Sequence, residues 1–431
     1  MKICIFGLWH LGSVTAAGCA KAGHTVTGLD FSRDTVRNLL DGRAPVAEPG
    51  LDGLIAEHLT KKTLDFTTDP ALALQDTDAL WIAFDTPVDD EDNADFGYIR
   101  DNFTRIAGYI RDGAVVIVSS QVPVGFTRQI LQQFRADYPE KQVAFACSPE
   151  NLRLGKALKT FLEPDRIVIG TLPGEKERFE PIFSPISSRL EWMGIESAEM
   201  TKHAINAYLA TSICFANEIA SVCEYTGADA RDVERGLKTE ERIGPLAYLT
   251  PGNAFSGGTL ARDVRFLMSM GNEHNLPLHL VTSVLASNDY QKTWVRRRCR
   301  EALDDLAGKN IAVLGLTYKP GTDTLRRSLA VELCRWLHAQ GAVVTAFDPA
   351  IRQLPPEYSA FIRLSPDTAG AVRSADCIIV ATEWPLFREM PDEVLTAMEG
   401  KVVLDPNGFL AVALAGHAGK VSYCSVGRCN P

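Results

Sequence analysis

Nowhere in its 431 residues does this chain carry an apolar run approaching the roughly 18 residues that a membrane-crossing helix needs. No leader precedes the first strand-like run either. Lys2 enters it directly, with no apolar h-region and no cleavage site, so a cytoplasmic protein is expected. Cysteine pairs are missing as well. Ten cysteines are scattered, with Cys4, Cys147, Cys214 and Cys377 inside apolar runs, and none forms a CxxC. That pattern favours reduced thiols over a disulfide framework. Cys424 and Cys429 lack the companions a metal requires, as do His274 and His279, so no metal site is expected. A basic excess is absent too: 44 Lys and Arg face 54 Asp and Glu, a formal charge of −10, which argues against a nucleic-acid partner. The densest basic cluster, RRRCR at 296–300, reads as solvation of a helix end.

What is present fits a globular protein of two or three domains, with 46% hydrophobic and 23% charged residues. Its most telling feature is a repeated opening, KICIFGLWHLG (2–12) and KNIAVLGLTYKPG (309–321). Each is a short apolar run with β-branched residues that ends at a glycine turn, as a parallel strand does on entering a nucleotide-binding turn. Two such openings imply two nucleotide-handling domains. Small residues over 11–23 continue the first turn as a helix closed by glycine. Strands are expected at HTVTGLD (ending at Asp30), 79–84, 114–120, 142–148 and 165–170, with helical stretches between most of them. From about Ser197 the pattern turns helical until Asn310, after which IAVLGL, AVVTAFD, DCIIVAT and KVVLDP announce a second sheet.

The expected class is therefore α/β: two Rossmann-like doubly wound domains, 1–196 and 301–431, joined by a long central helix in a helical domain spanning 197–300. A long helix between two such domains commonly supplies a dimer surface, so a homodimer is expected.

A dinucleotide fingerprint needs one glycine for the tight turn, another where backbone meets pyrophosphate, and a third for helix–strand packing. In Gly7-Leu8-Trp9-His10-Leu11-Gly12 the first and third are present, but Trp9 takes the middle place. Asp30, ending the second strand, is placed to accept hydrogen bonds from ribose hydroxyls and would repel a 2′-phosphate, which favours NAD over NADP. With Trp9, the turn admits NAD if the loop shifts and the indole covers the cofactor; weak binding or none is the alternative.

Several further motifs stand in order along the chain: EPGL (48–51), TP (86–87), VPVG (122–125), SPENLRLGKAL (148–158), EPDRIVIG (163–170), Lys202 with Asn206, ERIG (241–244), PGNAFSGG (251–258) and YKPGTDTLRRS (318–328). This ordered set resembles the UDP-glucose/GDP-mannose dehydrogenase family over nearly the whole chain. The resemblance implies an N-terminal NAD domain, a central dimerisation region and a C-terminal nucleotide-sugar domain. Typical members oxidise a sugar C6 alcohol to a carboxylate in two hydride transfers, with a cysteine carrying the intermediate as thiohemiacetal and then thioester.

The resemblance also marks departures. Where the family loop reads roughly GFGGSCFPKD, this chain reads AFSGGTLARD, which puts Thr259 at the cysteine position and Arg262 at the lysine, with Asp263 retained. Gln121 stands for the family's threonine before VPVG, and Leu154 for its second glutamate, while Glu150 survives. A threonine hydroxyl needs a strong neighbouring base to act as a nucleophile, unlike a thiol with a pKa of about 8.5. Lys202 and Asn206, four residues apart, share a helix face. By the resemblance they hydrogen-bond the reacting oxygen, and Glu150 and Asp263 hold a proton-relaying water.

Cofactor contacts are expected from Gly7, Trp9, His10, Leu11, Gly12, Asp30, Thr86 and Pro87, and substrate contacts from Arg242, Gly252, Phe255, Gly257, Lys319 and Arg326. The expected activity is NAD-dependent, two-electron oxidation of a UDP- or GDP-linked sugar. Four-electron oxidation through an aldehyde hydrate, or nucleotide-sugar binding without catalysis, are the alternatives.

Overall fold

Runs such as Val115–Val118 (VVIV) and Ala144–Cys147 (AFAC) are buried at every position, as strands covered on both faces must be. In the computed structural model the described residues are 1–87, 94–256, 258–326, 328–390, 395, 397–417 and 420–429. They form two compact units, Met1–Ile205 and Asn206–Pro431, and the long helix Ile195–Thr226 runs across the boundary. The class is α/β, with a largely parallel sheet in each half joined by that helix.

The first unit holds β1 (Lys2–Phe6), β2 (Thr25–Leu29), β3 (Leu64–Thr67), β4 (Ala79–Ile82), β5 (Val115–Val118), β6 (Ala144–Cys147), β7 (Ile167–Thr171) and β8 (Leu190–Gly194). Their order is β3-β2-β1-β4-β5-β6-β7-β8, parallel except where β7 meets β6. Alternation along β1 divides the core, since Ile3 and Ile5 enter one apolar cluster with Trp81 and Phe183 while Cys4 and Phe6 enter the other with Phe103, Phe134 and Phe145.

The second unit repeats the plan with β9 (Asn310–Leu314), β10 (Val343–Phe347), β11 (Arg363–Leu364), β12 (Cys377–Val380), β13 (Val402–Leu404), β14 (Ser422–Ser425) and β15 (Arg428–Cys429). The order is β11-β10-β9-β12-β13-β14-β15, and only β14 and β15 pair antiparallel. Ile311 and Val313 face one cluster, Ala312 and Leu314 the other. Strands β3, β8, β11, β14 and β15 were not expected from the sequence. Among the described residues no helix is long and apolar enough to cross a membrane.

Candidate active site

Strand order in the first unit reverses between β1 and β4, and the turn after β1 opens at that switch point, where doubly wound sheets take their ligands. Gly7 has φ +91°, a left-handed conformation that favours glycine. A Cβ on Gly12 would lie 1.6 Å from the Gly7 carbonyl oxygen, so the helix His10–Lys21 packs against the turn only with glycine there. Asp30 accepts from the Leu8 amide through Oδ2 and from the Ser32 amide through Oδ1, both at 2.8 Å. A cavity of about 460 Å³ opens beside it, lined by Asp30, Phe31, Phe84, Tyr98, Asn102 and Arg105, with the Arg105 guanidinium 3.6 Å from the centre of the Phe31 ring.

That end suits an adenosine, with a carboxylate on the wall to accept ribose hydroxyls. The phosphate end differs. Trp9 precedes the helix with 54% of its surface exposed, and the Leu11 amide donates to Asp85 Oδ2 at 2.9 Å. Thr86 Oγ1 donates to the Gln121 carbonyl at 2.7 Å, and Pro87 accepts from the Asp95 amide at 2.8 Å.

A small cleft in the same unit brings together Gln121, Glu150 and Lys202. Buried Lys202 donates to the Glu150 carbonyl at 2.6 Å and lies 3.4 Å from its Oε1, while Glu150 Oε2 accepts from the Leu152 amide. The loop carrying Glu150 is held from behind by Glu48, whose carboxylate accepts from the Gly155 and Ala157 amides at 2.8 and 2.7 Å. His10 Nε2 lies 3.2 Å from the same carboxylate, so the nucleotide turn and the Glu150 loop share one anchor.

In the second unit the buried Asn206 amide donates to the fully buried Asp263 carboxylate. Thr259 is the first residue of the helix Thr259–Glu273 and is exposed. The PGNAF segment is pinned by buried amides. Gly252 donates to Asn217 Oδ1 at 2.8 Å and accepts from Gln291 Nε2 at 2.8 Å, and Phe255 exchanges two bonds with Asn288. Asn253, Lys319 and Asn407 line a cavity of about 320 Å³ at the β9/β12 switch point of the second sheet. Arg242 is exposed beside Glu240, and Arg326 is exposed and does not line this cavity. Gly257 lies outside the described residues. Sequence reasoning missed Asp85, Asn217, Asn288, Gln291 and Asn407, which announce themselves only as polar groups whose partners are distant in the chain.

Models of the UDP-glucose/GDP-mannose dehydrogenase family match three segments: the NAD binding domain over residues 1–187, the central domain over 196–290 and the UDP binding domain over 312–411. The UDP-glucose 6-dehydrogenase of Rhizobium meliloti (strain 1021) is 33% identical over 438 residues, covering 99% of this chain and 100% of that protein. Among solved structures, a UDP-glucose dehydrogenase from the hyperthermophilic archaeon Pyrobaculum islandicum superposes with a TM-score of 0.82 at 30% identity, covering 94% of this chain and 93% of that one. The UDP-D-ManNAc dehydrogenase of Pyrococcus horikoshii, at 23% identity, shares the fold with a TM-score of 0.85 over 99% of both chains.

Proposed function

Because the chain belongs to the UDP-glucose/GDP-mannose dehydrogenase family, we propose that it oxidises a UDP-linked sugar with NAD and stops after two electrons, releasing an aldehyde or ketone. NAD, when bound, supplies the hydride acceptor. Gly7, Gly12 and Asp30 are the residues that would hold it, Gly7 by shaping the tight turn, Gly12 by letting the helix pack against that turn, and Asp30 at the ribose.

Thr259 carries the two-electron reading. We take it to stand where the family has its cysteine. It is exposed at a helix start and hydrogen-bonded to no carboxylate or imidazole among the described residues of its own unit. Among the described residues of its unit such a hydroxyl has no hydrogen-bonded base to make it a nucleophile, which supports a reaction without a covalent intermediate. The first oxidation needs no nucleophile. It needs a group to take the hydroxyl proton and a charge to meet the developing alkoxide. Lys202 supplies a buried ammonium for the second task, and Glu150, which holds that ammonium, is the carboxylate assigned to the first. Asp263, oriented by Asn206, is a second acidic group retained near Thr259 on its helix.

UDP over GDP is supported by the match to the family's UDP binding domain and by the UDP-glucose dehydrogenases at 30% identity or more, and the cavity of the second unit, with Lys319 on its wall, is where we place the nucleotide. A homodimer is supported by Tyr208, Phe215 and Val222, exposed at seven-residue spacing on the long helix. Nine described cysteines are free thiols, which supports a reducing compartment such as the cytoplasm. The division 1–196, 197–300 and 301–431 remains our assignment of cofactor, dimer and nucleotide-sugar segments.

The test is NADH released per UDP-sugar consumed, together with product mass. One NADH and a loss of two hydrogens supports the proposal. Two NADH and a carboxylate overturn it in favour of oxidation through an aldehyde hydrate.

A further inference from the structure

The amide of Leu11 lies in the first turn of the helix His10–Lys21, where unpaired N–H groups and the helix dipole make a phosphate site. Here that donor is already engaged by a carboxylate of the protein itself, Asp85 Oδ2 at 2.9 Å. Asp85 comes from the segment directly after β4, on the far side of the switch point from β2, so it faces the turn that the fingerprint glycines shape. The residue is exposed, yet protein surrounds it closely enough that desolvation raises its carboxyl above the ordinary value. Resting on the NAD reading above, we propose that Asp85 is a resident anion at the dinucleotide-phosphate site, and that NAD binding is coupled to uptake of a proton by this carboxylate.

Two like charges cannot share one amide donor at low cost. Once protonated, the Asp85 carboxyl changes from rival to hydrogen-bond donor toward a phosphate oxygen. The charged groups around it pull in both directions. His10, at the helix start, favours the ionised form, with Glu48 behind it, while Glu150, held by Lys202, opposes ionisation. Sequence spacing gives no hint of this, because Asp85 and Leu11 are 74 residues apart.

The experiment is calorimetric titration of the full chain with NAD, and with adenosine as a phosphate-free probe, from about pH 5.5 to pH 8.5. Coupling to a single proton allows at most a tenfold weakening of NAD affinity per unit rise in pH. The expected wild-type result is weakening with rising pH and no such trend for adenosine. Asp85→Asn keeps an acceptor for the Leu11 amide, so the helix start is preserved. It is expected to tighten NAD about tenfold or more at the alkaline end, to flatten the pH trend, and to leave adenosine unchanged; any slope owed to His10 persists in this variant. Asp85→Gly, which removes the side chain, is expected to shift NAD affinity in the same direction. Equal or weaker NAD binding by both variants overturns the proposal alone. Absence of NAD binding to wild type and variants, with adenosine bound or not, overturns it together with the cofactor reading.

Discussion

Lys202 is fastened to Glu150 through two atoms, its ammonium donating to the backbone carbonyl at 2.6 Å and standing 3.4 Å from Oε1. The carbonyl contact fixes where the charge sits whatever the ionisation of the carboxylate. Lys202→Met keeps the length and apolar stem and removes the charge. It is expected to lower kcat about 100- to 1,000-fold, the range for loss of one group aimed at developing negative charge. NAD affinity, measured by calorimetry, is expected to stay within about twofold, because Lys202 does not line the cavity beside Asp30.

Glu48 is the anchor for the loop that carries Glu150. Glu48→Ala leaves the buried Ala157 amide without its acceptor, an expected loss of about 1–3 kcal/mol in chemical denaturation. Glu48→Gln retains one oxygen and is expected to recover part of that stability. Equal stability of Glu48→Ala and wild type would show that the loop finds other partners.

The same pair of residues shows what could be read in advance. EPGL and SPENLRLGKAL were recognisable as motifs, but that Glu48 bonds Gly155 and Ala157, more than a hundred residues on, is set by the fold. The sheets divide in a similar way. Strands β1, β4, β5, β6, β9 and β12 are apolar runs because helices cover both faces, and the sequence shows them. Strands β3, β8, β11 and β15 lie at the sheet edges, where polar residues such as Asp65, Glu191, Arg363 and Arg428 are admissible, and no apolar run marks them. Gln121, Glu150 and Lys202 were singled out by motif and share a cleft in the fold, while Asp85 escaped notice because a lone acid after a strand has no spacing to betray its partner.

Gly252 can be glycine and nothing larger. A Cβ there would lie 2.2 Å from Asn407 Oδ1. That amide cannot simply swing away, since it also accepts from the Asn253 amide at 2.6 Å and donates to Glu383 at 2.5 Å. Gly252→Ala is expected to cost about 1–3 kcal/mol, the range for overpacking a filled site. Because Asn253 and Asn407 line the second-unit cavity, UDP affinity is expected to fall with it. Unchanged UDP affinity would detach this loop from nucleotide binding.

On the two-electron reading proposed above, Thr259→Cys asks whether a thiol at this position is all that separates that outcome from a four-electron one. Position 259 opens a helix of 15 residues, and the positive end of that helix favours a thiolate. The introduced thiol is therefore expected to titrate below the reference value of about 8.5, measured as pH-dependent alkylation in excess of the wild-type background. The background is low because eight of the nine described native cysteines are buried. If the reactive thiol raises the yield from one NADH to two per sugar, the other native side chains already suffice for the second oxidation. A thiol that alkylates readily while the count stays at one would place the block elsewhere, at Gln121 or Leu154, which we take to stand for the family's threonine and second glutamate.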